Sequence, residues 1–159
     1  MIELADFLPA LTEPGQAVAR ASDKQPSREE LQQLEDALRL LPAQECPVDH
    51  HFADGIYGRA MHIPAGTVLT GKVHRFSTLN VLVQGEITVT TPTGMQRLSA
   101  PAIFTSPPGC KKAGFAHTDV IWLNVHPTRL TDVASIESKF IEPEDPALTA
   151  GEKPCLGAQ

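Results

Sequence analysis

The stretch that decides the fold runs from Tyr57 to His126, and its centre reads HIPAGTVLTGKVH at 62–74 and LNVLVQGEITVT at 79–90. Short runs rich in Val, Ile and Thr are separated by Pro and Gly at intervals of about eight to twelve residues. This spacing is typical of all-β barrels and sandwiches, because each short strand is closed by a turn that needs Gly or Pro. We therefore predict that this region folds as a compact β-barrel with a pocket.

The composition of the 159-residue chain is that of a globular protein, with 42% hydrophobic and 20% charged residues. The net charge of -6 argues against a nucleic-acid partner, since phosphate binding needs a basic face. No apolar run approaches the roughly 20 residues that a membrane-spanning helix needs, and the N-terminus lacks the basic region of a signal peptide. Three cysteines without metal-type spacing indicate a reducing compartment, so we expect a cytoplasmic protein that binds neither membranes nor nucleic acid.

Three parts can be distinguished along the chain: an N-terminal helical arm at 1–45, a barrel at 46–128 and an irregular C-terminal arm at 129–159. The C-terminal arm is predicted to contain one short helix, from Asp132 to Phe140. The N-terminal arm is predicted to begin with a short helix that ends at Pro14-Gly15 and has an apolar face formed by Leu4, Phe7, Leu8 and Leu11.

A second helix of the N-terminal arm is predicted to start after Ser27 and to stop at Pro42. Ser27 and Glu30 have the spacing of a capping box, in which each side chain accepts a hydrogen bond from the other residue's backbone N–H. The apolar positions of this helix fall on one stripe, which comprises Leu31, Leu34, Leu38 and Leu41. This stripe would pack on the barrel or on a second subunit.

Strands of the barrel are predicted at 57–63, 68–75, 79–91, 96–100, 102–106 and 119–126, with a turn or bulge at Gly85. The segment from Cys46 to Phe52 is interpreted as a connector. The last strand alternates cleanly, and we place its polar set, Trp122, Asn124 and His126, toward the pocket, because tryptophan is rarely left in water. The alternative is that these three side chains meet another sheet or subunit.

The central region resembles the cupin superfamily, whose fold is a double-stranded β-helix or jelly-roll barrel. The first cupin motif is Gly, five residues, His-x-His, three or four residues, Glu, six residues, Gly. With Gly66 and Gly85 as its two glycines, Lys72 and His74 occupy the histidine positions and Thr78 occupies the glutamate position. The resemblance therefore implies the cupin fold for roughly residues 57–126.

The second cupin motif is approximated by the turn at residues 107–109, Pro-Pro-Gly. Lys112 then stands at its histidine position and Ala116 at its asparagine position, so that His74 alone keeps a metal-ligand identity. Ammonium groups place positive charge where a cation would sit. If Lys72 and Lys112 point inward, they favour a carboxylate or a phosphate instead.

The predicted ligand-binding set combines these motif positions with the last strand. If residues 72–80 stay extended, the even-numbered positions share one face and oppose the last strand. The set is Lys72, His74, Thr78, Asn80, Lys112, Trp122, Asn124 and His126.

A rearranged metal site is the alternative use of this pocket. Its tentative ligands are His74 and His126 together with His62 or His117, and converging imidazoles would suit zinc, iron, nickel or manganese. The carboxylate usually found beside them is missing from the motif. For His62 and for His117, a hydrogen-bonded structural role is the competing interpretation.

Three functions remain open at this point. The first is a module that binds or sequesters a small polar or anionic ligand; the central block is similar to small cupin-like proteins common in bacteriophage genomes, so a role in counter-defence is included. The second is a metal-dependent isomerase, lyase or dioxygenase, and the third is a phage structural or interaction protein. Since both arms need a surface to pack on, we expect a homodimer.

Overall fold

The structure is a computed structural model and describes residues 26–91 and 94–143. Within these ranges the chain forms two helices and nine strands. The elements are α1 (Arg28–Leu38), β1 (Val48–Ala53), β2 (Ile56–Ile63), β3 (Val68–Thr70), β4 (Thr78–Gln84), β5 (Glu86–Thr91), β6 (Gly94–Ser99), β7 (Ala102–Ser106), β8 (Ala113–Ala116), β9 (Val120–Pro127) and α2 (Val133–Phe140). The predicted helix with Leu4 to Leu11 and the tail from residue 144 onward lie outside the described residues.

The strands form two antiparallel sheets, in the orders β1-β2-β9-β4-β7 and β3-β8-β5-β6. Their pairing is nested around the β5–β6 hairpin: β4 pairs with β7, β3 with β8 and β2 with β9. This is the pattern of one long hairpin that has been rolled into two facing sheets, which is a jelly roll. The predicted double-stranded β-helix is therefore confirmed, with β1 added at one edge.

Two predicted segments need correction. The presumed connector at residues 46–52 contributes β1, whose six residues all pair with β2. The predicted strand at 68–75 ends at Thr70, because the next backbone groups bind different neighbours: Gly71 N–H donates to Lys112 O, and Arg75 N–H donates to Phe140 O. Residues 71–77 therefore form a loop, and the even-numbered positions from 72 to 80 do not share one face.

The capping box of α1 is confirmed, since Glu30 N–H donates to Ser27 Oγ at 3.2 Å and Ser27 N–H donates to Glu30 Oε2 at 2.8 Å. Three leucines of the predicted stripe are buried against the four-stranded sheet, where they contact Met95 and Ala113: Leu31, Leu34 and Leu38. The helix stops at Leu38, however, and Leu41 is 52% exposed, so the predicted last turn is wrong. Neither α1 nor α2 is long and apolar enough to cross a membrane.

The predicted C-terminal helix is confirmed as α2, which is capped by Asp132, whose carboxylate accepts from Ser135 N–H at 2.8 Å. Its buried residues Ile136 and Phe140 pack on Tyr57, at one end of the barrel. The loop before β4 holds this helix, since Glu142 N–H donates to Val73 O at 2.9 Å. Helix α2 thus covers the end of the barrel where the candidate site lies.

Candidate functional site

A cavity of about 100 Å³ lies between the two sheets, beneath α2. Strands β2 and β9, which are neighbours in the five-stranded sheet, supply one wall. Along it, inward side chains form four successive cross-strand pairs. From the α2 end inward, these pairs are Tyr57–His126, Arg59–Asn124, Met61–Trp122 and Ile63–Val120. We call the first two pairs the polar half and the last two pairs the apolar half of this wall.

Arg59 lies in the polar half, and its guanidinium lacks the partners that a buried charge requires. The Nε and Nη2 atoms are buried and have no hydrogen-bond partner among the residues that the structure describes. Burial lowers the pKa of Arg59, although the side chain stays charged because the pKa of arginine is far above neutral. Arg59 thus places a cation on the cavity wall with two buried nitrogen atoms, Nε and Nη2, whose N–H groups are not used.

Two lysines also line the cavity, and their situations differ. Lys72 Nζ lies 3.4 Å from Glu137 Oε1 on α2, so its charge is matched by a carboxylate. Within residues 26–91 and 94–143, the structure pairs the ammonium of Lys112 with no carboxylate. Burial lowers the pKa of Lys112. The cavity thus holds a second cation, beside Arg59, that is not neutralised.

His74 and His126 stack on each other at the α2 end, with ring centroids 5.3 Å apart. Burial and then the nearby Lys112 lower the pKa of His74 to about 3. Burial and then Arg59 lower the pKa of His126 to about 4. Both imidazoles are therefore neutral at pH 7 and leave the positive charge of the cavity unchanged.

The structure brings together six of the eight predicted ligand-binding residues on the cavity wall: Lys72, His74, Lys112, Trp122, Asn124 and His126. Their ligand-binding role stays a prediction. The other two, Thr78 and Asn80, do not line the cavity but contact residues that do. Thr78 Oγ1 lies 2.8 Å from His74 Nδ1, and Asn80 Oδ1 accepts from Asn124 Nδ2 at 2.9 Å. These two side chains are almost completely buried, and they hold cavity residues in place through these contacts.

The predicted set of metal-binding histidines is not assembled. His62 is on the side of β2 opposite to Arg59, and its Nε2 lies 2.8 Å from Asp49 Oδ2. His117 follows β8 outside the cavity, with Nε2 2.8 Å from Thr88 Oγ1. Each therefore has a hydrogen-bonded structural partner, and strand alternation points His62 away from the pocket.

The residues present do not fit a transition-metal ion. In the described part of the chain, no three His, Cys, Asp or Glu residues come close enough together to hold one. His74 and His126 stand beside Arg59 and Lys112, whose positive charges would repel a divalent cation. Zinc, iron, nickel and manganese sites need further nitrogen, sulfur or carboxylate donors, which this wall does not supply.

The sequence-based prediction missed Arg59 and Glu137. A signal for Arg59 was available, since it shares strand parity with Tyr57, Met61 and Ile63 and is therefore a lone cation on an otherwise inward apolar face of β2. No comparable signal marks Glu137, because α2 reaches the cavity only through the folding of the C-terminal arm over the barrel.

No protein-family model matches the chain, and neither does any curated protein sequence. Several solved structures are similar to it. KdgF from Halomonas sp. is 16% identical, with 57% of this chain and 91% of that chain covered and a TM-score of 0.46. A cupin domain from Bordetella pertussis is 14% identical, with 55% and 98% covered and a TM-score of 0.43. A RmlC-like cupin family protein with a double-stranded β-helix fold from Methanocaldococcus jannaschii is 13% identical, with 54% and 83% covered and a TM-score of 0.44.

By its own nested strand pairing, the chain has the double-stranded β-helix or jelly-roll fold that cupins share. The cupin resemblance of the sequence is thereby confirmed at the level of the fold. The chemistry of the barrel has to be derived from the cavity of this chain, because one fold hosts many unrelated activities.

Proposed function

We propose that the protein binds a small anionic ligand inside its barrel. The observation that supports this proposal is the buried, unpaired guanidinium of Arg59 on the cavity wall. Leaving a buried charge without hydrogen-bond partners is strongly unfavourable. A carboxylate or phosphate group would supply both the opposite charge and the missing acceptors.

The overall charge of the cavity points in the same direction. Among the described lining residues, Arg59, Lys72 and Lys112 are cationic and Glu137 is the single carboxylate. Because the pKa values of His74 and His126 are about 3 and about 4, neither histidine adds charge at pH 7. An anion would therefore enter a site with two excess positive charges, and α2 would then shield it from water and strengthen the attraction.

Binding without chemistry fits this site better than acid–base catalysis does. A general base works best when its pKa lies near the operating pH, whereas the pKa values of His74 and His126 are far below 7. The wall also lacks the donors for a catalytic metal ion. We therefore favour a protein that retains or sequesters its ligand, and sequestration is the role expected of a phage counter-defence protein.

A thermal-shift panel tests the proposal. Acetate and phosphate are compared with the uncharged acetamide and glycerol at constant ionic strength. The anions are expected to raise the melting temperature by mass action, and the neutral compounds are expected to leave it unchanged.

Arg59→Gln is the matched variant, and Arg129→Gln, at an exposed position, is its control. Arg59→Gln is expected to lose the response to anions, while Arg129→Gln keeps it. If neither anion stabilises the wild-type protein, or if Arg59→Gln responds like the wild type, the proposal is wrong.

A further inference from the structure

We infer that the ligand is a small monocarboxylate with an apolar body, bound with its carboxylate on Arg59 and its body against Met61 and Trp122. This inference rests on the function proposed above and specifies the class of anion. Three independent features of the cavity carry it: the geometry of the free donors, the change of polarity along the wall, and the volume.

The free donors of Arg59 are adjacent. Nε and Nη2 present their N–H groups on the same edge of the planar guanidinium, and both are buried without partners in the described part of the chain. Two parallel N–H···O bonds from such an edge match the two oxygens of a carboxylate. Because lysine ammonium groups lack this geometry, Arg59 rather than Lys112 is assigned to the carboxylate head.

The wall becomes apolar immediately beyond Arg59. Met61 is the next inward residue on β2, about 7 Å further along the strand, and its cross-strand neighbour is Trp122. Ile87 and Val89 on the four-stranded sheet line the same region from the opposite side. The hydroxyl groups of a sugar would find no partners there, whereas a hydrocarbon body would fill the space favourably.

The volume limits the size of that body. The cavity measures about 100 Å³, and an engineered apolar cavity of about 150 Å³ is known to accommodate benzene. An acid of about four carbon atoms, which has as many non-hydrogen atoms as benzene, is the largest that this comparison allows. Nucleotides and sugar phosphates are too large.

A homologous series of acids tests the inference with the full-length protein. Formate, acetate, propionate, butyrate, valerate and hexanoate are titrated, and binding is followed through the fluorescence of Trp122, the chain's single tryptophan, which lines the apolar half. Affinity is expected to rise about fourfold for each buried methylene group. The rise should stop when the cavity is full, at about four carbons.

The comparison compounds separate this inference from the proposed function. If phosphate and formate bind as tightly as butyrate, the anion site stands, and the inference that the ligand has an apolar body is wrong. If phosphate binds and no acid does, the anion site stands and the monocarboxylate is wrong. If butyramide or 1-butanol binds as tightly as butyrate, or if neither the acids nor phosphate bind, both proposals fail.

Arg59→Lys tests the paired donors, because lysine keeps the charge and lacks the planar edge with two parallel N–H groups. Butyrate binding is expected to weaken at least tenfold, while the exposed control Arg129→Lys binds like the wild type. Wild-type affinity of Arg59→Lys for butyrate would overturn the assignment of the carboxylate to Arg59. Circular dichroism of each variant verifies that it is folded.

Discussion

The polar and apolar halves of the five-stranded sheet's inner wall are built by the same strand alternation and yet have opposite consequences. In the apolar half, Met61, Ile63, Val120 and Trp122 join Leu82 in one packed core cluster. In the polar half, Nε and Nη2 of Arg59 are buried without hydrogen-bond partners in the described part of the chain. His126 is held neutral there, and so is His74, which stacks on it from the loop before β4. Alternation decides only which side chains point inward; their chemistry decides whether burial stabilises the fold or prepares a site for a ligand. The following predictions test this contrast.

The largest effect is expected for Leu82→Ala in the core beside the apolar half. Leu82 is fully buried, and truncation of a buried leucine lowers the free energy of unfolding by about 2–5 kcal/mol. Leu79→Ala is the matched control, since Leu79 lies on the opposite face of β4 with 40% exposure and should lose less than about 1 kcal/mol. Urea denaturation measures both variants, and equal losses would contradict the assignment of the core.

The second prediction concerns the pH dependence of stability that the stacked pair of His74 and His126 confers. In the folded protein the pKa values of His74 and His126 are about 3 and about 4, whereas unfolded histidine titrates near 6.5. Above pH 6.5 both states are neutral at these positions, so this term is constant. As the pH falls below 6.5, the unfolded state binds protons that the folded state excludes, and stability decreases down to the folded pKa values.

The expected loss between pH 7 and pH 5 is on the order of 2 kcal/mol for each histidine, or about 4 kcal/mol for the two together. Urea denaturation at a series of pH values measures it, and the double variant His74→Gln/His126→Gln should flatten the curve over this interval. The ring resonances of the two histidines in NMR spectra provide a direct check. Titration of either ring near pH 6.5 in the folded protein would show that the polar half is hydrated rather than buried.

The third prediction is an increase in the free energy of unfolding, opposite in sign to the effect expected for Leu82→Ala. Arg59→Met replaces a buried, unpaired charge with an apolar side chain of similar length, so the free energy of unfolding should rise by about 1–2 kcal/mol. The same variant should lose anion binding. Arg129→Met, at an exposed position, should change neither property by much. A marked loss of stability in Arg59→Met would mean that the guanidinium supports the fold instead of a ligand.

The smallest effect is expected at the edge of the polar half, where Glu137 on α2 pairs with Lys72. Glu137→Gln should lower stability by less than about 1 kcal/mol, since partly exposed ion pairs contribute little. It should also tighten acetate binding, because it removes the carboxylate from the cavity wall. Glu142→Gln is the control, as its partner Arg28 is largely exposed and outside the cavity. Weaker acetate binding by Glu137→Gln would contradict the electrostatic account.

Local patterns were sufficient to predict several parts of the structure. The spacing of Gly and Pro predicted an all-β barrel or sandwich, and the resemblance to cupins implied the jelly roll. The clean alternation of the last strand predicted that Trp122, Asn124 and His126 point inward, as β9 shows. The capping signal at Ser27 located the start of α1. The boundaries of the barrel and its arms, the homodimer and the cytoplasmic location stay predictions.

Other parts depended on contacts that no local pattern reports. Residues 71–75 were predicted to continue the strand from residue 68, but their backbone binds the segment before β8 and the end of α2. Lys72 was predicted to bind an anion, yet Glu137, sixty-five positions later, pairs with it. His62 and His117 were candidates for a metal site and are directed to separate partners, Asp49 and Thr88.

The sequence by itself determined the strand alternation and the turns, because these depend on interactions between residues close in the chain and on the simple separation of apolar from polar faces. Tertiary structure alone decided the charge state of the cavity. Arg59 lacks a partner and the histidines are neutral because β2, β9, the loop after β7 and α2 converge there and exclude water. The desolvation of these side chains and the balance of charges around them depend on groups that are distant in the sequence and adjacent only in the folded chain.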